Sequence, residues 1–282
     1  MIQPTLILDV SCLAYRSLHT TGDLSFEGIS TGVVYGLLRS VLDLCDLHQP
    51  GAVVWAFDGG CDRRRELCPT YKCGRDKKRK EMMDEEREAH RELRRQLYRM
   101  RTDYLPSLGY RNLFVREGYE ADDVIASVAM SLSDERRESV IVSTDGDLFQ
   151  LLGLRTSIWN PIAKRLVTAD SFRAEWGIGP DQWYLVKAIA GCDGDDVAGV
   201  RGVGEKTAVK FITGNLKDSS KAYRAIVEQA AMWRANVDLV KLPFPGVGKF
   251  DLRGDETSEE KWEAMFARLG FGSLRGRGRV RA

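Results

Sequence analysis

Val140-Ile141-Val142-Ser143-Thr144-Asp145-Gly146-Asp147 is an apolar, β-branched run cut off by two carboxylates. Such a run suits a buried strand, and the Asp-Gly-Asp that follows suits a turn at its carboxyl end. Two earlier apolar runs end the same way: Leu6-Ile7-Leu8 at Asp9, and Val53-Val54-Trp55-Ala56-Phe57 at Asp58. Strands are predicted at 5–9, 52–57, 112–115 and 140–144, with an antiparallel pair near 157–159 and 165–167. Helical periodicity falls near 31–47, 82–104 and 122–133. Val/Ile-rich strands alternating with helices predict an α/β fold with a mainly parallel sheet and flanking helices. Ligand sites of such sheets gather at the carboxyl ends of the strands, so Asp9, Asp58 and Asp145 should converge on one crevice.

A second carboxylate group, Glu120-Ala121-Asp122-Asp123, opens the helix near 122–133. Alone, it reads as helix capping, and Asp145-Gly146-Asp147 alone reads as a turn. Together with Asp9 and Asp58 they make seven carboxylates, a costly concentration of charge unless a cation neutralises it. Hard divalent ions with oxygen ligands do so. Seven exceed the need of one Mg²⁺, so two ions and phosphate chemistry are the natural reading.

The 282 residues are 43% hydrophobic, enough for one large domain or a domain with an appendage. No apolar run approaches membrane-spanning length and no basic-then-apolar leader opens the chain, so a cytosolic, soluble protein is expected. Cysteines 12, 45, 61, 68, 73 and 192 form no Cys-x-x-Cys pair, which argues against zinc and for reduced thiols. Net charge is +1, but residues 63–101 hold 15 Lys/Arg against 8 Asp/Glu. A basic segment beside an acidic centre suits a metal-dependent enzyme with a polyanionic substrate.

That basic segment begins just after Asp58, which places Lys72 and Arg75 within reach of a scissile phosphate. The charged helix that follows is either a solvated surface helix or a lid that guides a single strand. Beyond residue 181, short helices are predicted at 183–190 and 205–213, around Gly199-Val-Arg-Gly202-Val-Gly204-Glu205-Lys206-Thr207. This stretch is not a nucleotide-binding P-loop: Glu205 separates the last glycine from Lys206, and no strand precedes it. It reads better as a helix–hairpin–helix turn, in which Gly202 and Gly204 let backbone N–H groups approach a DNA phosphate and Lys206 adds charge. A glycine cap between packed helices is the plainer alternative.

Five stretches taken together resemble the 5′ nuclease superfamily of flap endonucleases, DNA polymerase I 5′-nuclease domains and bacteriophage 5′→3′ exonucleases. They are Asp9-Val-Ser-Cys-Leu-Ala-Tyr15-Arg16; Arg64-x-Glu-Leu-x-Pro-x-Tyr71-Lys72-x-Gly-Arg75; Gly118-Tyr-Glu120-Ala-Asp122-Asp123; Ser143-Thr-Asp145-Gly-Asp147; and Gly199-Val-x-Gly202-Val-Gly204-Glu-Lys206-Thr207-Ala. The resemblance implies a PIN-like core over 1–180 with a helical arch at about 73–108, a helix-two-turn-helix subdomain over 181–270 that grips duplex DNA, often with K⁺, and a basic mobile tail over 271–282. It implies two Mg²⁺, replaceable by Mn²⁺, held by Asp9, Asp58, Glu120, Asp122, Asp123, Asp145 and Asp147. Lys72 and Arg75 become phosphate contacts, Tyr15 stacks on a nucleotide beside Arg16, and Gly202, Gly204, Lys206 and Thr207 meet the duplex. The substrate implied is DNA, or an RNA–DNA hybrid, with a 5′ flap, nick or free 5′ end. A free-standing phage-type monomer is expected, with a polymerase or single-strand-binding protein as partner. One departure stands out. Where the family carries Gly-Asp-x-x-Asp, this chain has Gly191-Cys192-Asp193-Gly194-Asp195, so Asp195 keeps its place and Cys192 replaces the first aspartate. Thiolate is a poor Mg²⁺ ligand. Unless Asp193 or water substitutes, a weaker or Mn²⁺-favoured second site is expected, which Cys192→Asp should tighten. Two rivals follow: a DNA-binding protein that has lost the chemistry, and a PIN-type ribonuclease.

Overall fold

The computed structural model describes residues 3–278. Its main sheet has six strands in the order β5 (Asn112–Phe114), β4 (Ala52–Ala56), β1 (Thr5–Asp9), β6 (Ser139–Val142), β7 (Thr156–Asn160) and β8 (Arg165–Val167). All neighbours pair in parallel except β7 with β8, the antiparallel pair expected from sequence. A small hairpin of β2 (Ser25–Phe26) and β3 (Ile29–Ser30) stands apart. From β1 the chain builds outward to β4 and β5, then returns across β1 to build β6 and β7 on the other side. This reversal opens a crevice at the carboxyl ends of β1 and β6.

Alternation along the strands sends side chains into two cores. Leu6, Leu8, Val53, Trp55, Val140 and Val142 face α1 (Val10–Thr21) and α2 (Gly32–His48). Ile7, Val54, Ala56 and Ile141 face α7 (Ala121–Asp134), whose Val124, Ile125 and Val128 are fully buried. Helix α1 escapes the sequence reading because its inner face includes Ser17. That hydroxyl donates to Leu13 O at 2.8 Å, so a polar residue sits where an apolar stripe would be sought.

Between β4 and β5 run α3 (Asp62–Leu67), α4 (Cys73–Glu81) and α5 (Asp84–Arg99), then a π-turn Met100–Tyr104 and the short α6 (Leu105–Leu108). The charged stretch 82–104 is therefore not a free-standing helix along its length. Leu93, Gln96 and Met100 are buried, and Gln96 Oε1 accepts from Val33 N at 3.0 Å and Val34 N at 3.2 Å, supplying the N-terminus of α2 with an acceptor. Only the amino-terminal part of α5, together with α4, stands clear of the core.

Beyond β8 come α8 (Ala169–Trp176), α9 (Trp183–Ala190), α10 (Glu205–Ile212), α11 (Lys221–Glu228), α12 (Ala230–Val240) and α13 (Glu259–Arg268). The segment after α12, expected to belong to the second subdomain, packs on the first core. Asn112 exchanges two 2.8 Å hydrogen bonds with the Arg253 backbone, and Asp255 accepts from Val53 N at 3.0 Å and Arg111 N at 2.9 Å. Trp262 and Phe266 of α13 complete the core beneath Leu108 and Tyr110. Part of the expected basic tail packs against the body as well. Phe271 and Leu274 are buried, and Arg277 pairs with Asp43 at 2.9 Å and Asp46 at 3.1 Å; the rest of that tail, 279–282, lies outside the described residues. Among the described residues no helix is long and apolar enough to cross a membrane.

Trp262 is wholly buried. Trp262→Ala should therefore cost about 3–5 kcal/mol of global stability, read from the midpoint of a single urea transition. An unchanged midpoint would show that α13 is an independent appendage.

Candidate active site

Asp9 ends β1 and also caps α1: Oδ1 accepts from Cys12 N at 2.9 Å, and Oδ2 from Ser143 Oγ at 2.8 Å. The same Ser143 oxygen accepts from Asp145 N at 3.1 Å, so one serine ties the ends of β1 and β6 together. Asp145 caps the 3₁₀ turn Gly146–Leu151 through Asp147 N at 2.8 Å. Asp122 sits in the first turn of α7. Burial pushes Asp9, Asp122 and Asp145 above the usual carboxylate range, and mutual repulsion adds to it: Asp58 on Asp9, Asp145 and Asp9 on Asp122, Asp147 and Asp9 on Asp145, which reaches about 6. Asp58 is exposed beyond β4 and accepts from Gly60 N at 2.7 Å. Among the described residues, none of these four carboxylates has an ion-pair partner; the cations nearby hold Glu120, Asp123, Asp147 and Asp195 instead.

Asp123, expected among the metal ligands, is engaged by an arginine. Both of its oxygens are bound by Arg64, at 2.5 and 2.8 Å, and they also accept from Phe244 N at 2.8 Å and Glu120 N at 3.1 Å. Asp123 is wholly buried and faces away from solvent, while Arg64 also donates to Leu239 O at 2.9 Å. This ion pair locks α3, the start of α7 and the chain after α12 to one another. Glu120 does reach the site, where Tyr71 Oη donates to it at 2.7 Å and Lys72 Nζ binds its other oxygen.

Asp195 accepts from Arg75 at 2.6 Å and Tyr71 Oη at 3.2 Å, with Lys72 Nζ at 3.4 Å. Gly74 N donates to Asp196 at 2.6 Å and Arg75 Nε to Gly194 O at 2.8 Å, so the foot of α4 is stapled to the 193–196 turn. Asp193 is exposed on that turn and joins no carboxylate. Asp147 is held by Lys187 at 2.9 Å, and Lys187 also binds Glu205 at 3.2 Å. Cys192 Sγ lies 3.9 Å from Asp147, a buried thiol pushed up to about 12 first by burial and then by Asp147.

Above these groups lies a crevice of about 540 Å³ lined by Asp58, Lys72, Arg75, Arg94 and Arg101 among others. Tyr15 reaches it from α1 and meets His90 of α5 edge-on at 5.8 Å. Arg16 does not join it; it lines a separate cavity with Arg39 and Lys164. Gly202 and Gly204 lie on the loop between α9 and α10, with Lys206 exposed and Thr207 half-buried on the first turn of α10. Gly202 has φ +78°, and a Cβ at either glycine would meet nothing within 4 Å, so this backbone face is open.

Sequence reasoning missed four contributors. Arg64 and Tyr71 were visible as motif letters, but their buried roles needed the fold. Ser143 too was a motif letter whose bridging role needed the fold. Lys187 carried a signal as a lone cation in the otherwise apolar helix Trp183-Tyr-Leu-Val-Lys187-Ala-Ile-Ala190.

The arrangement tests well for a hard cation on one side only. Asp9, Asp122 and Asp145 offer oxygen donors whose mutual repulsion a divalent ion would relieve. Among the described residues, no three acidic, histidine or thiol side chains already form a closed metal cage.

An α/β sheet carrying such carboxylates at its carboxyl edge defines the resolvase-like fold of 5′ nucleases. Bacteriophage T5 5′-exonuclease, solved with bound divalent metal ions (zinc), superposes with a TM-score of 0.73 at 22% identity, covering 85% of this chain and 90% of its own. The catalytic core of Rad2 with a DNA substrate superposes at 0.61 and 15% identity, over 99% and 91%. Residues 4–177 match the family model of the 5′–3′ exonuclease N-terminal resolvase-like domain, and the chain belongs to that family. It is 32% identical to the thermostable DNA polymerase I of Thermus aquaticus over 95% of its own length, and spans 32% of that protein. With DNA polymerase I of Pseudomonas aeruginosa it shares 31% identity over 75% of its length, and spans 22% of that relative.

Breaking the buried pair with Asp123→Asn should cost about 3–5 kcal/mol in urea denaturation, yet leave divalent-ion affinity within twofold at low temperature. A large loss of affinity in the folded variant would restore Asp123 as a ligand. The raised carboxylates also set a pH dependence. The charge of Asp145 opposes folding in full above about 6 and is relieved as pH falls toward the ordinary value of 3.8. In EDTA, Asp145→Asn should raise the melting temperature at pH 7.5 and weaken its rise between pH 7.5 and 5.5. A lower melting temperature in the variant would contradict the repulsion.

Proposed function

We propose that this chain is a divalent-metal-dependent 5′ nuclease that hydrolyses phosphodiesters of DNA, or of RNA-primed DNA, near 5′ ends, flaps and nicks during replication or primer removal. One observation carries the reading: among the described residues Asp9, Asp122 and Asp145 have no ion-pair partner, and beside them Asp58, Glu120, Lys72, Arg75, Arg94 and Arg101 line one crevice, which Val10 and Ser11 bring next to Asp9. An acidic floor suits a metal ion, and a basic wall suits the strand whose phosphate the ion must meet. Mg²⁺ or Mn²⁺ held by Asp9, Asp122 and Asp145 would supply a water of lowered pKa and stabilise charge on the phosphate.

This chain's own residues do the rest. Lys72 and Arg75 exchange Glu120 and Asp195 for the scissile phosphate and fix it for in-line attack. Tyr15, on the crevice wall, stacks on the adjacent base. The amino-terminal part of the arch, which alone is free of core contacts, admits the 5′ strand. Gly202, Gly204, Lys206 and Thr207 take the duplex through an open backbone face at the start of α10, with K⁺ at the loop as part of the same mode. Supply of the 5′ end by a polymerase, on the same or another chain, fits the kinship with DNA polymerase I.

A 5′-labelled flap duplex tests the reading. Mg²⁺ or Mn²⁺ should release short 5′ products, EDTA and Asp145→Asn should abolish them, and Lys72→Ala should slow them by roughly 10²–10³-fold. Tight, salt-dependent binding with no cleavage under any metal would favour a DNA-binding protein instead.

A further inference from the structure

The half of the site around Asp147 does not fit a second divalent ion. Asp147 already has a cation: Lys187 Nζ lies 2.9 Å from one of its oxygens. Lys187 is fixed rather than mobile. It stands one turn along α9 from Trp183, whose Nε1 donates to Gly146 O at 2.7 Å, and it is further held by Glu205 at 3.2 Å. Its side chain is about as buried as that of Lys72, but Lys72 lines the crevice, whereas Lys187 lies outside that lining and is held between two carboxylates. The neighbouring Cys192 Sγ, 3.9 Å from Asp147, offers a soft sulfur where an oxygen ligand would be needed. The third group, Asp195, is engaged by Arg75, Lys72 and Tyr71. This half is therefore neutralised by the protein, whereas Asp9, Asp122 and Asp145 are not. A second dication would have to enter against an ammonium in contact with its first ligand.

We propose that this nuclease binds one divalent ion per chain, at Asp9, Asp122 and Asp145, and that the Lys187 ammonium permanently supplies the positive charge on the Asp147 side. The proposal rests on the metal-dependent reading above. It also changes the meaning of Cys192: restoring an aspartate there is not enough while Lys187 stays, because the carboxylate it adds would be taken up by the ammonium.

The test counts Mn²⁺ ions by loss of the free-ion electron paramagnetic resonance signal, at pH 7.5 without DNA, beside flap cleavage by the same preparations. The full chain should bind one Mn²⁺, Cys192→Asp should still bind one, and Lys187→Ala/Cys192→Asp should bind two. The cleavage rate of the full chain should rise with the first power of Mg²⁺ below saturation, a reading that does not depend on any variant folding. Two Mn²⁺ in the full chain with cleavage intact, or a second-order Mg²⁺ dependence, would overturn this inference and leave the nuclease reading standing. A folded double variant that still binds one ion would overturn it as well. No Mn²⁺ bound and no cleavage would remove the nuclease reading and this inference together.

Discussion

Like charges held at the end of a parallel sheet repel one another, and most of what surrounds this sheet edge answers that repulsion. The carboxylates cannot retreat. Asp9 terminates a fully buried strand and caps the next helix, and Asp145 caps a turn at the end of another. The protein keeps them in place with neutral donors, chiefly Ser143 and backbone N–H groups, and leaves their charge largely unpaired. That state costs stability and favours a cation, which is how a binding site can be built from groups that disfavour the fold in isolation.

Around this centre the protein places its own cations with different degrees of permanence. Arg64 is the most permanent: buried, bidentate to Asp123, and seated over the Phe244 ring at 4.9 Å. It joins the segments that carry the arch foot, the start of α7 and the return of the chain after α12. Lys72 and Arg75 are more available, since Arg75 is half exposed and both open on the crevice. A substrate phosphate can compete with Glu120 and Asp195 for them. Lys187 is about as buried as Lys72 but lies outside the crevice lining, bound to Asp147 and Glu205.

The arch foot and the 193–196 turn are tied by Gly74, Arg75 and Lys72, so the region after β8 and the crevice wall form one unit. The turn itself joins α9 to the glycine loop, and Lys187 touches Glu205 on the first turn of α10. A contact at the open loop is thus connected by two short links to the carboxylate centre. The open loop and the foot of α4 are mechanically adjacent.

The strand segments, the parallel sheet and the convergence of Asp9 and Asp145 were legible in the sequence, because a continuous apolar run ending in a carboxylate is a local pattern. The helices at 183–190 and near 205–213 were legible as local patterns too, and the helix opening at Glu120 was legible from its acidic first turn. What a carboxylate does once it is there was not legible. Asp122 and Asp123 are adjacent letters, yet the 100° turn of a helix sends one to the site and the other into a buried pair with a residue 59 positions away. Lys187 reaches Asp147 only because α9 packs on the turn after β6, and residues 253–277 close a core built by the first hundred residues. Sequence fixes which groups are charged and which local element holds them; tertiary packing decides which charges face each other, since electrostatic partnership depends on distance through space.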